Sequence, residues 1–353
     1  MKTLTAILAA AALTVACGGS NSGPVRPPSE ASTSGTVQIN GAGATFPYPV
    51  YSKWFSEYNK LHPNVEINYQ SIGSGGGIRQ LLERTVFFGA SDQPMSDEML
   101  AKAPGRVLHF PTVIGAVVPV YSVEGLSTQI KFTGPVLADI FLGKIVKWND
   151  PAIAKINPGV SLPSSGITVV HRSDGSGTTF VWADYLSKIS PEWKDKVGAN
   201  SSLNWPVGVG GKGNEGVAGL VSQSPGSIGY VELVYALQNK IAYGAVQNIA
   251  NEFVSPDVKS VTAAALGAMP AIPKDFRVSI TNSPGAGAYP ISSFTWILLY
   301  ENPENKAYAA ALNDFMKWAL SSGQPMAETL GYARLPDALV AMELEQLTRI
   351  KTQ

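Results

Sequence analysis

Residues 167–186 read ITVVHRSDGSGTTFVWADYL and indicate how the surrounding chain folds. The apolar run Ile167–Val170 predicts a buried strand, and Phe180–Leu186 predicts a helix. The polar segment His171–Thr179 therefore joins the end of a strand to the start of a helix. The first N–H groups of a helix are unpaired, and the positive end of its dipole attracts an anion. Because Arg172 adds a cation, this turn predicts a binding site for an oxyanion.

Strands followed by helices recur along the rest of the chain. Apolar or alternating runs predict further strands at Val37–Asn40, Val65–Gln70, Phe87–Asp92, Val113–Tyr121, Ile228–Val231 and Thr295–Tyr300. Helices are predicted after Pro47 and Pro49, around Ile78–Thr85, from Asp97, at Ala307–Ala319 and at Leu339–Ile350. This order favours an α/β architecture with mostly parallel sheets.

The composition permits two domains but no large charged surface. The 353 residues are 45% hydrophobic and 15% charged, with 26 Lys and Arg against 26 Asp and Glu. A domain usually takes roughly 100–200 residues, so the length allows two. Because the charges balance, no global field attracts nucleic acid, and we expect no nucleic-acid partner. Any preference for an anion must arise locally.

The single cysteine, Cys17, follows an apolar run that begins at Leu4. The run with its preceding Lys2 resembles a bacterial secretory signal ending in a lipobox, although Leu13 stands four residues before the cysteine instead of three. One cysteine also excludes an intrachain disulfide and a cysteine-based zinc cluster. We predict a signal peptide over residues 1–16 and a lipid anchor on Cys17.

The segment after the cysteine is nearly all Gly, Ser, Pro and Thr, so residues 17–36 are predicted to form a flexible linker. The protein is then exported and anchored to the cell membrane, facing the periplasm or the outside. Two alternatives remain open. One is plain cleavage near Ala16, which gives a soluble periplasmic protein, and the other is a short uncleaved anchor.

Seven blocks between residue 37 and the C-terminus carry a family resemblance. They read GAGATFPYPVYSKW, GSGGG, FGASD, LGKIVKWNDPAI, HRSDGSGT, VGVGGKGNEGV and GSIGYVE. In this order they resemble the phosphate-binding subunit of bacterial high-affinity phosphate ABC transporters. The resemblance implies a type II periplasmic-binding-protein fold, in which two crossing strands join two α/β lobes by a hinge. We place the crossings near Thr112–Ala116 and Ser283–Gly287, which gives a lobe of residues 37–114 and 285–353 and a lobe of residues 115–284.

The resemblance also implies the ligand and its contacts. Inorganic phosphate would bind between the closing lobes and pass to the permease and ATPase subunits of an ABC transporter. No cofactor, metal or catalytic residue is implied, and the protein would not be an enzyme. The family's phosphate contacts fall on Thr45, Phe46, Ser74, Asp92, Arg172, Ser176, Gly177 and Thr178.

The residue types are chemically consistent with that assignment. The pairs at residues 45–46, 74–75 and 176–177 each precede a predicted helix, so three helix N-termini would meet at one oxyanion. Arg172 can donate two parallel hydrogen bonds, and Asp174 is placed to hold its guanidinium plane. The alternative is that Arg172 and Asp174 form only a structural ion pair.

Asp92 is the unusual member, because an ionised carboxylate repels an anion. It accepts a hydrogen bond from a ligand that carries a proton, but it repels fully deprotonated sulfate. We therefore expect Asp92 to select phosphate. The alternative is that Asp92 caps the turn before Pro94.

Other site types fit poorly. The segment Gly210–Gly213 lacks the Ser or Thr of a P-loop, and Gly41–Phe46 lacks the last glycine of a dinucleotide fingerprint. His171, Asp174 and Ser176 are too crowded for a catalytic triad, and the three histidines are scattered instead of clustered for a metal. We assign Trp148 to packing, Asp150 to a helix N-cap and Pro151 to the first helical position. Two rival functions remain: a binding protein for another tetrahedral oxyanion, and a phosphatase.

Overall fold

The computed structural model describes residues 36–126 and 128–353, and the statements below concern those residues. The predicted signal peptide, Cys17 and all but the last residue of the predicted linker lie outside them. Residues 36–353 form one compact unit. None of the described helices is long and apolar enough to cross a membrane.

Twelve strands lie in the described residues. They are β1 Val37–Gly43, β2 Val65–Ser71, β3 Phe88–Ser91, β4 Val107–Ser122, β5 Lys131–Phe132, β6 Thr168–Arg172, β7 Val209–Gly211, β8 Ser227–Glu232, β9 Ala242–Tyr243, β10 Ala245–Gln247, β11 Phe253–Val254 and β12 Ser292–Tyr300.

Thirteen α-helices and a short 3₁₀ helix at Met269–Ala271 accompany the described strands. The α-helices are α1 Tyr48–Leu61, α2 Ser74–Leu82, α3 Asp97–Leu100, α4 Gly134–Phe141, α5 Pro151–Ile156, α6 Gly177–Ile189, α7 Pro191–Lys196, α8 Gly213–Gln223, α9 Leu233–Gln238, α10 Val258–Ala268, α11 Lys306–Ala319, α12 Gln324–Leu330 and α13 Asp337–Leu347. The predicted α/β architecture is confirmed.

The main sheet has the order β2-β1-β3-β12-β4-β8-β6-β7, and β9 pairs with β4. Strands β1, β2 and β3 are parallel to one another where they pair, as are β6, β7 and β8. Between these two groups, β12 and β4 run antiparallel to their neighbours. The prediction of mostly parallel sheets is therefore wrong, because these two long central strands make the sheet mixed. A second, smaller sheet has the order β11-β10-β5.

Strand β4 changes its partner along its length. It pairs with β12 over Val107–Ala116 and with β8 over Val117–Ser122. Its side chains are buried from the first residue to the last but one, as is typical of a strand covered on both faces. The sequence predicted only Val113–Tyr121, because Thr112, Pro111 and His109 interrupt the apolar pattern before that run. That histidine is buried, and its Nε2 accepts the N–H of Met95 at 3.0 Å.

In each half of the main sheet, the carboxyl ends of the parallel strands lie along one edge, and helices begin there. The chain runs from β1 to α1, from β2 to α2, from β6 to α6 and from β7 to α8, while β3 ends beside Asp92. Open α/β sheets bind ligands outside the carboxyl ends of their strands. The structure therefore places the predicted site residues where this architecture forms a ligand crevice.

The structural roles assigned to residues 148–151 are confirmed. The Asp150 side chain accepts the N–H of Ala152 at 2.8 Å and caps α5, which begins at Pro151. Trp148 is fully buried, and its Nε1 donates to the carbonyl of Gly226 at 2.9 Å.

Candidate functional site

The N-termini of α2 and α6 are in direct contact. The Ser74 Oγ accepts the N–H of Gly177 at 3.0 Å and that of Asp92 at 3.2 Å. The N–H of Gly75 donates to the carbonyl of Gly175 at 2.9 Å. Two of the three predicted helix ends therefore meet at Ser74, which is completely buried.

The loop before α1 is held by a helix that the sequence did not implicate. The Thr45 Oγ1 accepts the backbone N–H of Asn214 at 3.2 Å and its Nδ2 at 2.7 Å. The Thr45 carbonyl accepts the hydroxyl of Tyr235 at 2.5 Å. Because Asn214 lies in the first turn of α8, four helix N-termini meet at the site instead of three.

Arg172 contributes a buried cation with one free nitrogen. Its Nε donates to Asp174 Oδ1 at 2.8 Å, and its Nη2 donates to Asp174 Oδ2 at 2.5 Å. The Nη1 is buried and has no hydrogen-bond partner among the described residues. The ion pair with Asp174 thus uses two of the three guanidinium nitrogens and leaves the third for another acceptor.

Asp174 remains ionised in this pair. Burial alone raises the pKa of Asp174, but the hydrogen bonds and the positive charge of Arg172 outweigh it and hold the pKa below its usual value. The carboxylate also accepts the N–H of Gly213 at 3.0 Å, which joins the Arg172 loop to the start of α8. Asp174 therefore orients the guanidinium.

Asp92 is buried beside these donors, with 1% of its surface exposed. Its Oδ1 accepts the hydroxyl of Thr295 at 2.8 Å, and its Oδ2 lies 3.5 Å from the hydroxyl of Thr178. Burial raises the pKa of Asp92 to about 7, although the Thr295 hydrogen bond and the charge of Arg172 oppose the shift. Asp92 therefore titrates near neutral pH, whereas the sequence-based argument treated it as ionised.

Asp92 does not cap the turn that follows β3. The Ser91 Oγ performs that role, because it accepts the N–H of Gln93 at 3.0 Å. The alternative interpretation of Asp92 as a turn cap is thus wrong for this turn.

A second buried carboxyl lies close to Asp92. Glu232 is fully buried at the end of β8, and burial raises its pKa well above the ordinary value. Its Oε2 accepts the N–H of Val234 at 2.9 Å and caps α9. Burial therefore disfavours a negative charge on Glu232.

The remaining predicted residues lie in the same place. The Ser176 Oγ caps α6 by accepting the N–H of Thr179 at 3.0 Å, and Thr178 is fully buried. Phe46 is fully buried, and its carbonyl accepts the hydroxyl of Tyr332 at 2.6 Å. The fold thus brings together every residue that the sequence assigned to the ligand.

Sequence reasoning missed Asn214, Thr295 and Tyr235. Asn214 lies in the block VGVGGKGNEGV, which contributed to the family resemblance but from which no site residue was predicted. Thr295 begins an apolar run, so its sequence context indicated a strand and nothing more. Each contacts a residue between 169 and 203 positions away, and only the fold reveals these contacts.

The histidines have packing roles. His171 stacks on Trp205 with ring centroids 4.7 Å apart, and His62 stacks on Tyr58 at 4.3 Å. Over residues 36–126 and 128–353, no group of three or more His, Cys, Asp and Glu side chains is placed to hold a metal ion.

A separate cavity of about 280 Å³ lies between β4 and α13. It is lined by Arg106, Arg277 and Arg349, among other residues. Arg277 pairs with Asp97 at 2.7 Å, and Arg349 pairs with Glu301 at 2.8 Å. These ion pairs compensate much of the positive charge of the cavity.

Known proteins resemble this chain in both sequence and fold. A model of the PBP superfamily domain matches residues 28–322. The phosphate-binding protein PstS of Xylella fastidiosa strain Temecula1 is 52% identical over 315 residues, which cover 89% of this chain and 85% of that protein. The PstS protein of Pasteurella multocida is 49% identical over 316 residues, which cover 89% of this chain and 91% of that protein.

The architecture agrees with solved structures. The crystal structure of a phosphate-binding protein from Stenotrophomonas maltophilia has a TM-score of 0.68 at 18% identity, and the match covers 88% of this chain and 93% of that one. At this identity the likeness concerns the fold, and it confirms the predicted periplasmic-binding-protein fold. The chain belongs to the PBP superfamily and, within it, to the family of PstS phosphate-binding proteins.

Proposed function

We propose that this protein binds inorganic phosphate between two closing lobes and delivers it to an ABC transporter permease for import. The observation that carries the proposal is that a charged hydrogen-bond donor and a hydrogen-bond acceptor lie side by side in one buried place. Arg172 offers a charged donor without a partner among the described residues, and Asp92 offers an acceptor next to it. A protonated oxyanion satisfies both groups.

Asp92 provides the preference for phosphate over sulfate. A phosphate that carries a proton donates it to the ionised carboxylate, whereas sulfate presents only acceptors. A buried acceptor left without a partner costs about 1–3 kcal/mol, and more when it is charged. Because 1.4 kcal/mol corresponds to a factor of ten, one mismatch yields a discrimination well above tenfold.

The other phosphate contacts are donors. We assign these contacts to Thr45, Phe46, Ser74, Arg172, Ser176, Gly177 and Thr178. The helix N-termini that carry most of these residues supply N–H groups and a positive dipole end, both of which favour a bound anion. Asp174 contributes indirectly by orienting Arg172.

We propose a lobe of residues 37–114 and 285–353 and a lobe of residues 115–284. The change of partner along β4, between Ala116 and Val117, supports the first boundary. The predicted place of the second crossing strand is wrong, because Ser283–Gly287 lie in a loop in which Ser283 donates to the Ala264 carbonyl of α10 at 2.7 Å, and β12 begins only at Ser292. Hinge closure of the two lobes then excludes water and strengthens each hydrogen bond to the ligand.

The transport role extends this binding function. We propose export by a signal peptide over residues 1–16, a lipid anchor on Cys17 and a linker over residues 17–36. The partners are the permease and ATPase subunits of a phosphate ABC transporter. The relatives reported above are phosphate-binding proteins, and we assign no catalytic residue, cofactor or metal.

Calorimetry with phosphate, arsenate and sulfate tests the binding function. We expect one phosphate per chain at micromolar or lower concentration, with sulfate far weaker at pH 8. Absence of phosphate binding would overturn the proposal, and tighter sulfate binding would favour another oxyanion. Turnover of p-nitrophenyl phosphate that is lost in Ser176→Ala would instead favour a phosphatase.

A fractionation experiment tests the anchor. We expect the chain to partition with membranes and Cys17→Ala to release it. Release of the unsubstituted chain into the soluble fraction would contradict lipidation.

A further inference from the structure

We propose that Asn214 is a positioning residue that fixes the hydroxyl of Thr45 as a hydrogen-bond donor toward the anion and favours donation by the hydroxyl of Thr178. This inference rests on the proposed phosphate-binding function and deepens it. Asn214 lies in the first turn of α8 and is completely buried. Its side chain connects α8, the loop before α1 and the first turn of α6.

The orientation of the Asn214 amide is fixed by the backbone. Its Oδ1 accepts the N–H of Glu232 at 2.9 Å. An amide rotated by 180° would place its NH₂ group against that N–H, donor against donor. The hydrogen-bond network therefore assigns the oxygen to Glu232 and the NH₂ group to the opposite side.

The two N–H bonds of that NH₂ group are both used on hydroxyl oxygens. The Nδ2 donates to Thr45 Oγ1 at 2.7 Å and to Thr178 Oγ1 at 3.2 Å. A hydroxyl has one hydrogen to donate and two lone pairs that accept. Each bond from Asn214 therefore occupies a lone pair and leaves the hydrogen for another acceptor.

At Thr45 the constraint is complete. Its Oγ1 also accepts the backbone N–H of Asn214 at 3.2 Å, so both lone pairs are occupied. The Thr45 hydroxyl then functions only as a donor. Thr178 has one lone pair occupied, and its hydrogen is available to Asp92 or to the ligand.

Ser74 shows the same arrangement without Asn214. Its Oγ accepts the N–H groups of Asp92 and Gly177, so its hydrogen too is left for donation. An oxyanion presents acceptors on every side except at its own proton. A site whose hydroxyls are fixed as donors before the ligand arrives avoids reorienting them on binding.

Two substitutions separate this role from mere packing. Asn214→Asp keeps the shape and the acceptor for Glu232, but above its pKa the new carboxylate turns the threonine hydroxyls away from the ligand. We expect phosphate binding to weaken at least 100-fold at pH 8. Asn214→Ala removes the constraint without reversing it, and we expect a weakening of about tenfold.

The pH dependence of the two variants distinguishes the mechanisms. As the pH falls to 5, the new carboxyl in Asn214→Asp gains a proton and donates again. The loss of phosphate affinity relative to the unsubstituted protein should therefore shrink at least tenfold. Asn214→Ala should show no such recovery. The matched control is Asn157→Ala, because Asn157 is also buried and also bridges backbone segments, but far from the site. Its Oδ1 accepts the N–H of Lys131 at 2.8 Å, and its Nδ2 donates to the Lys131 carbonyl at 2.9 Å. It should lower the melting temperature and leave phosphate affinity unchanged.

Calorimetry of the full-length protein and its variants, with phosphate from pH 5 to 8, decides the matter. If the unsubstituted protein failed to bind phosphate, the proposed function and this inference would fall together. If it bound phosphate and Asn214→Asp bound equally well at pH 8, only the role of Asn214 would be wrong. Should Asn214→Asp fail to fold, a double-mutant cycle of Asn214→Ala with Thr45→Val replaces it. A coupling below twofold would then overturn the inference.

Discussion

The backbone N–H of Gly177 donates to the Oγ of Ser74 at 3.0 Å, although the two residues are 103 positions apart in the sequence. This bond joins the first residue of α6 to the first residue of α2. A Cβ at residue 177 would lie 2.4 Å from the Ser74 Oγ and 2.7 Å from the Cβ of Asp92. Only glycine permits the two helix ends to approach so closely.

Gly177→Ala should therefore separate the helix ends and weaken phosphate binding at least tenfold without unfolding the protein. Titration calorimetry and thermal unfolding measure the two effects. The control is Gly219→Ala in α8, where an added Cβ meets nothing within 4 Å. It should leave affinity unchanged and stabilise the helix by about 0.5–1 kcal/mol. Unchanged affinity in Gly177→Ala would show that the contact is not needed for binding.

Arg172→Lys should weaken phosphate binding at least 100-fold. A lysine carries a point charge, so it cannot pair with Asp174 through two nitrogens and present a third to the ligand. The control is Arg349→Lys, because Arg349 donates to Glu301 through Nε and Nη2 at 3.0 and 2.8 Å outside the site. Calorimetry should detect no loss of affinity in that control. A loss below threefold in Arg172→Lys would contradict the role of the free Nη1.

Sulfate binding should depend on pH through Asp92. Burial raises the pKa of Asp92 to about 7. Because sulfate has no proton to give, its binding requires Asp92 to take one up. The affinity for sulfate should therefore fall by up to tenfold per pH unit above pH 7 and become constant below pH 7. Phosphate, which brings its own proton, should show a weaker dependence over the same range.

Asp92→Asn should remove this dependence and allow sulfate to bind at pH 8, because an amide donates as well as accepts. Calorimetry with both anions at pH 6, 7 and 8 measures the change. A variant that still bound phosphate and excluded sulfate would show that another group selects the ligand.

Asp150→Ala should destabilise the protein without affecting the ligand. The Asp150 side chain accepts the N–H of Ala152 at 2.8 Å and caps α5. Loss of such a cap costs about 1 kcal/mol. Urea unfolding should show this decrease in the free energy of unfolding, while phosphate affinity stays the same. A change in affinity would indicate that α5 is coupled to the site.

The sequence was sufficient for the strand–helix order, because that order follows from local patterns of apolar and polar residues. The ligand residues came from the family resemblance, and their contact with phosphate stays a prediction. The turns after the parallel strands carry their glycines, hydroxyls and charges in short segments such as Arg172–Thr178. The start of β4 was missed because His109 looks polar, yet it is buried and bonded to the N–H of Met95. Local pattern does not reveal a partner supplied by another segment.

The same limit applies to the site. Asn214 and Thr295 act through side chains that meet residues 169 and 203 positions away. The raised pKa of Asp92 also follows from its burial, which the sequence did not determine. Residue types could be predicted from the sequence, whereas their hydrogen-bond directions and charge states depend on the fold.

A crystal structure of the phosphate complex is the most direct test of phosphate binding between the helix ends. We predict one phosphate in contact with the Nη1 of Arg172 and the Oδ2 of Asp92, within hydrogen-bond distance of both. A phosphate located instead in the arginine-lined cavity beside Arg277, or bound without contact to Asp92, would contradict the proposed site.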